Sequence, residues 1–310
     1  MLTNPKDSSV LQLFSDYSTR EINTETLSEI TKKYSIDVAT LFFVEKIYEQ
    51  EKNRTPQNCY LTALDDLKNE KIEQYLSFLK NYFIVFVPGF RYKHINNGGN
   101  FLNQRRLFDS VGICYEMIEI EEAGLVDNNA KIISNRLREL NSLHDSILII
   151  SVSKSGLETA IALENMNGNK DISSVKGWIN VGGILRGTPV ADMWYPPFRR
   201  FWMSCGLFFI RKSLNLKALL SDLSYNRCKE KYTTFNIPEE ITVINLIGTP
   251  LGRHKKSKIP TPNDGFSPHP DAIIESGIVI TELGADHFFK EIDLNQRMVI
   301  LLRFIVEKKS

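Results

Sequence analysis

Ser153 stands in the hexapeptide Ser151-Val152-Ser153-Lys154-Ser155-Gly156, after the apolar run ILII at 147–150 and before the helix-forming LETAIAL at 157–163. A strand, a tight turn and a helix, with a serine at the turn, make a nucleophile elbow. Such a turn strains the serine backbone, so the residues two before and two after must be small. Ser151 and Ser155 fill those places, and Gly156 gives the helix room to pack closely. A serine hydroxyl attacks poorly until a histidine takes its proton and an acid orients that histidine. The chain has five histidines: His94, His144, His254, His269 and His287. His287, in Gly284-Ala285-Asp286-His287-Phe288, follows the last strand-like run and precedes the terminal helix pattern, where a base reaches the carboxyl edge of a sheet. Asp264, in Asn263-Asp264-Gly265-Phe266-Ser267-Pro268, follows the run ITVINLI after a loop and supplies an acid at the same edge. The chemistry available to this set is nucleophilic attack on an acyl carbon.

Each residue has a rival reading. Ser155 is a second candidate nucleophile, but its position +2 is the bulky Leu157. Ser151-x-x-Lys154 matches the S-x-x-K of β-lactamase-type enzymes, yet the chain has no SDN, and its only near-KTG, Lys154-Ser155-Gly156, overlaps the same segment. The hexapeptide alone reads almost as well as a plain polar turn. Asp264-Gly265 is also a common turn dipeptide. Asp271 is the reserve acid, Asp286 adjoins His287 in sequence, and Lys154 reads as a solvated lysine whose side chain does no chemistry.

Positioning these groups requires an ordered frame, and the texture of the chain changes near residue 81. Before it the pattern is helical: Thr26-x-x-Glu29 reads as a capping box, Val38, Leu41, Phe42 and Tyr48 share a face, Pro56 is expected to break the chain, and Ile72, Tyr75, Leu76 and Leu79 suggest a third helix. The stretch LSEITKKYSIDVATLFFVEKI faintly matches a helix-turn-helix, but its second helix presents Leu41, Phe42, Phe43 and Val44 where nucleic acid needs polar groups, so it reads as a packing helix. After residue 81, strand-like runs at Phe83–Val87, Ile113–Ile120, Ile147–Ile150, Trp178–Val181, Ile241–Ile247 and Ile278–Thr281 alternate with helical patterns at Ala130–Leu140, Leu157–Glu164 and Leu294–Val306. Unbroken β-branched runs with helices between them predict a doubly wound, mostly parallel α/β sheet. The alternation stops between Arg186 and Pro238, where Phe198, Phe201, Trp202, Cys205, Phe208 and Phe209 form one apolar helical face with arginines off it.

FVPGF, SVSKSG, GGILRGTPVAD, NDGFSP and GADHF, in that order, resemble the α/β-hydrolase superfamily and its lipase/esterase branch. The serine–aspartate–histidine order matches that family, and Asp264 precedes His287 by 23 residues, close to the usual spacing there. The resemblance covers residues 81–310, with a cap or lid inserted at about 187–238, and leaves 1–80 as a helical N-terminal extension. It implies Ser153 as nucleophile, His287 as general base and acid, and Asp264 as the orienting carboxylate. It implies an oxyanion hole from the backbone N–H groups of Lys154 and Phe90, with Arg91 as the rival donor. Pro88-Gly89 stands where lipases usually carry His-Gly. The substrate pocket is expected to involve Gly89, Thr188, Trp194 and Trp202.

The implied activity is hydrolysis of a carboxylic ester, including lipid esters, through an acyl-enzyme. The alternatives are a thioesterase, an acyltransferase with the same triad, and a hydrolase-fold binding protein without catalysis. No metal or organic cofactor is implied. The partner is a small-molecule or lipid ester, and the aromatic cap with its arginines also suits a lipid interface. Basic residues exceed acidic ones by one, which argues against nucleic acid as the main partner. The basic run Arg253–Lys258 reads as solvated, and Asn96-Asn97-Gly98-Gly99 matches no nucleotide-binding motif. Cys59, Cys114, Cys205 and Cys228 lie far apart without a CxxC pair, so neither a disulfide framework nor a zinc site is expected. The first residues lack a secretory pattern and the longest apolar run, 201–210, is half a membrane span, so a cytoplasmic location is the expectation.

Overall fold

The computed structural model describes residues 17, 22–68, 71–94, 99–168, 172–194, 216–252 and 259–309. Six strands form one parallel sheet: β1 (Phe83–Val87), β2 (Tyr115–Met117), β3 (Ile147–Val152), β4 (Val175–Val181), β5 (Thr242–Thr249) and β6 (Ile278–Leu283), in the order β2-β1-β3-β4-β5-β6. The order reverses at β1–β3, so the carboxyl ends of these two strands open a crevice suited to a ligand.

The strands read as continuous apolar runs because both faces are covered. Alternate side chains point opposite ways. Val85, Val87, Ile147, Ile149 and Trp178 pack under α5 (Val126–Asn141) and α6 (Lys154–Met166). Ile84, Phe86, Leu148, Ile150 and Ile179 pack on the other face under α4 (Leu102–Val111), a 3-10 helix (Ile72–Asn81) and α10 (Leu294–Lys309). Between β4 and β5 the described residues form α7 (Pro189–Trp194), α8 (Leu216–Asp222) and α9 (Tyr225–Lys231). The aromatic stripe from Phe198 to Phe209, including Trp202, lies outside the described residues. No helix among the described residues is long and apolar enough to cross a membrane.

Several expectations need correction. The run Ile113–Ile120 forms a ladder only at 115–117, because β2 is an edge strand whose single neighbour is the short β1. The first helix, α1 (Thr24–Lys33), is capped by Asn23, whose side chain accepts from the Thr26 N–H at 2.8 Å, not by Thr26. After α2 (Ile36–Glu49), the chain does not break at Pro56; α3 (Glu51–Asp66) runs through it. Proline there removes one backbone bond early in the helix, and packing on the sheet edge offsets the loss. Residues 53, 57 and 60 recur at helical spacing and face β6. The Asn53 side chain accepts from the Val279 N–H at 2.9 Å, and Gln57 accepts from the Thr281 N–H at 2.9 Å and donates to its carbonyl at 3.2 Å. Tyr60 donates to Glu282. Thus α3 satisfies the open edge that another strand would otherwise pair. In α2, the apolar face is buried: Phe42, Phe43 and Ile47 join Leu27 and Ile30 of α1 over Ile247 and Val279.

Candidate active site

Ser153 sits between β3 and α6 with φ 59° and ψ −125°, a conformation that costs energy for a residue with a Cβ. The turn is held by the Ser153 N–H donating to the Val181 carbonyl at 3.1 Å, and by its carbonyl accepting from Ile184 at 2.9 Å and Gly156 at 3.0 Å. A Cβ on Gly156 would lie 2.6 Å from Asn180 Oδ1 and 2.8 Å from Gly183 Cα, so only glycine lets α6 approach β4 this closely. Ser151 is buried and accepts from Trp178 Nε1 at 2.8 Å. Ser155 is buried with its Oγ 2.7 Å from the Val87 carbonyl, while accepting from the Val152 N–H at 3.0 Å. Ser151 is therefore spent on the adjacent strand β4 and Ser155 on the turn backbone, and Ser155 is not presented to a substrate.

His287 reaches Ser153 from the loop after β6. Its Nε2 is 2.9 Å from Ser153 Oγ and its Nδ1 is 2.7 Å from Asp264 Oδ2. The His287 N–H also donates to the Asp264 carbonyl at 2.9 Å, so the two loops are pinned by backbone as well as side chain. Asp264 is both turn former and histidine partner, one oxygen for each. Oδ1 accepts from the N–H groups of Phe266 and Ser267, each at 2.8 Å, and Oδ2 faces the imidazole. Burial pushes this carboxyl up, but the charge and hydrogen bond of His287 and the two amides outweigh it and hold the pKa below the ordinary aspartate value. The ring of His287 packs on Phe266 with centroids 4.5 Å apart.

The other candidates serve elsewhere. Asp271 accepts from Thr24 at 2.8 Å and Tyr225 at 2.6 Å, tying α1 to α9. Asp286 accepts from the Phe288 N–H at 2.9 Å. His94 meets Glu122, His144 stacks on Phe83, and His269 packs against Phe43. His254 and the basic run around it lie outside the described residues.

The loop after β1 runs alongside Ser153: a Cβ on Gly89 would lie 3.7 Å from Ser153 Cβ. In that loop the Gly89 N–H donates to the Gly99 carbonyl at 2.9 Å and the Arg91 N–H to the Glu122 carbonyl at 3.5 Å. Between them, the Phe90 N–H donates to no backbone carbonyl among the described residues. Lys154 opens α6, where an N–H has no intrahelical acceptor. Two amide donors are thus available beside the serine, and Arg91 is the less available of the two rivals in the loop.

A mostly apolar cavity of about 440 Å³ opens from Ser153 and His287. Gly89, Phe90, Thr188 and Trp194 line it, with Leu220 from α8 and Phe289 beyond His287. Thr188 lies between β4 and α7 and donates through Oγ1 to the Phe266 carbonyl at 2.6 Å. Trp202, expected with them, falls outside the described residues.

The expectation for the Lys154 side chain was wrong. It is 2% exposed and forms an ion pair with Glu158, itself fully buried, rather than reaching solvent. Glu158 and Asn129, its second partner, were missed. The signal was a charged i, i+4 pair in KSGLETAIAL, a helical segment that carries no other charge.

No family model and no curated protein matches this chain. Among solved structures it is similar to a metagenomic carboxyl esterase, with TM-score 0.55 and 18% identity over 74% of this chain and 76% of that one. It is also similar to the mature form of a Bacillus licheniformis lipase, with TM-score 0.54 and 19% identity over 73% of this chain and 91% of that one. The chain has the α/β-hydrolase fold.

Proposed function

We propose that the protein is a serine hydrolase of carboxylic esters. The observation that carries this is the continuous hydrogen-bonded line from Ser153 Oγ through both nitrogens of His287 to Asp264, at 2.9 and 2.7 Å. Its direction follows from the partners. Asp264 accepts from Nδ1–H, leaving Nε2 to accept the serine proton.

In the proposed reaction Ser153 Oγ bonds to the carbonyl carbon as its proton passes to His287 Nε2. The carbonyl π electrons move to oxygen, and the amides of Lys154 and Phe90 donate to that oxyanion. One such donor lowers the barrier by about 2.7–4 kcal/mol. The intermediate collapses, the C–O bond to the alcohol breaks, and His287 returns the proton to the leaving oxygen. Water then attacks the acyl-enzyme by the same route and releases the acid. The apolar cavity beside Ser153 favours an apolar acyl group, and the carboxyl esterase and lipase among the similar structures agree with an ester.

The test is a panel of p-nitrophenyl esters of graded acyl length, with Ser153→Ala as the blank. The reading predicts turnover by the native protein and none above background by the variant. Equal rates for both would overturn it.

A further inference from the structure

The ion pair between Lys154 and Glu158 is the most deeply buried charge pair among the described residues, at 2% and 0% side-chain exposure. Burying two charges is costly, and hydrophobic residues would fill the space at no such cost. The pair stands where its loss would matter most. Lys154 supplies one of the two amides beside Ser153, and its side chain ties that first turn of α6 to Glu158. Glu158 Oε1 also accepts from Asn129 Nδ2 of α5 at 2.8 Å. Asn129 in turn grips residue 121: its Nδ2 donates to the Glu121 carbonyl at 2.9 Å and its Oδ1 accepts from the Glu121 N–H at 3.0 Å. The next residue, Glu122, holds the loop after β1, accepting from the Lys93 N–H at 2.6 Å through Oε1 and from the Arg91 N–H at 3.5 Å through its carbonyl. That loop carries the Phe90 amide. A chain of polar contacts therefore joins the two amides behind Ser153, and it touches neither His287 nor Asp264.

We propose that Glu158 is a positioning residue for the oxyanion hole, holding the Lys154 and Phe90 amides in register through Lys154, Asn129 and the turn at Glu121–Glu122. The inference rests on the reading of Ser153 as nucleophile and adds a residue that the nucleophile, base and acid do not require. Such a bracket acts on the transition state, whose oxyanion needs both donors, and little on ground-state binding.

The experiment measures kcat and KM with a p-nitrophenyl ester for Glu158→Ala and Glu158→Gln, per active site counted by completed fluorophosphonate labelling. Glu158→Ala is expected to lower kcat about a hundredfold, as misplaced catalytic groups do, with KM nearly unchanged. Glu158→Gln keeps an acceptor for Lys154 and Asn129 and is expected to recover most of that loss. An alkyl boronic acid, whose tetrahedral adduct fills the hole, should bind Glu158→Ala more weakly by a similar factor. Native kcat per labelled site in Glu158→Ala overturns the proposal, and so does an equal loss in both variants. If Glu158→Ala does not fold, Gly124→Ala decides. A Cβ there would lie 2.5 Å from Glu121 Cβ and 3.0 Å from Asn129 Oδ1, so it shifts the bracket from outside. It should lower kcat with KM kept, and an unchanged kcat overturns the proposal. A native protein that neither turns over esters nor takes the label fails the hydrolase reading and takes this inference with it. An active native protein with an unaffected Glu158→Ala fails this inference alone.

Discussion

On one side of Ser153, His287 is held by a short loop. Asp264 bonds to its imidazole and backbone and to two amides within three residues, and the loop leans on the N-terminal helices through Thr24–Asp271 and Phe43–His269. On the other side, the Lys154 and Phe90 amides are tied together through segments at 91–93, 121–122, 129 and 154–158, with a buried ion pair at the centre. If the proposed reaction holds, the proton-relay side is local and all-or-none, because each atom has one task. The proposed oxyanion side is distributed, and distributed contacts fail by degrees. Changes on the first side should abolish turnover, while changes on the second should grade it.

The strongest break is His287→Ala, which removes the only base in contact with Ser153 among the described residues; kcat should fall about a millionfold, as loss of one triad member does elsewhere. Steady-state kinetics at saturating ester checks this. Asp264→Asn comes next, with a loss of about ten-thousandfold, because the amide still builds the turn but sets the wrong imidazole tautomer. That variant also has a pH signature. The folded pKa of Asp264 lies below its ordinary value of about 3.9. Its contribution to stability is then fully present above that pH and is lost as pH falls through the folded pKa. Denaturant unfolding between pH 5 and the acid limit should show a shallower decline for Asp264→Asn than for the native protein.

A smaller effect is expected in the pocket. Ala191 is 3% exposed and lines the cavity, so Ala191→Phe should shorten the longest acyl chain accepted while short esters keep their kcat. The smallest effect on chemistry belongs to the sheet edge. Asn53→Ala strands the buried Val279 N–H and should cost about 1–3 kcal/mol of stability. Its kcat should stay native, since α3 meets β6 and not the cavity. A loss of kcat there would make the α3–β6 contact part of the catalytic frame and erase the contrast.

Much of the frame was legible in the chain. The runs at 83–87, 147–150 and 278–281 became β1, β3 and β6 because strands buried on both faces carry apolar residues throughout. The elbow was legible because its geometry restricts residue size at fixed offsets. The helix at 102–111 was missed: Leu107, Phe108 and Val111 pack on the core, but in ten residues they and Leu102 are the only apolar positions, set among Arg105, Arg106 and Asp109. The helix at 51–66 was hidden by Pro56 and by a contact face made of Asn53 and Gln57, which look exposed in sequence yet satisfy a strand edge. The bracket at Glu158 left only the i, i+4 pair Lys154–Glu158 as its trace, and it was missed for a related reason. A buried charge pair reads like a solvated one until the helices around it are placed.

The claim on which everything turns is that Ser153 Oγ is the activated nucleophile, and covalent labelling by a fluorophosphonate, located by peptide mass spectrometry, tests it most directly. The account predicts one adduct per chain, on Ser153, absent from His287→Ala. An adduct on Ser155 or elsewhere, or none on folded native protein, would contradict it.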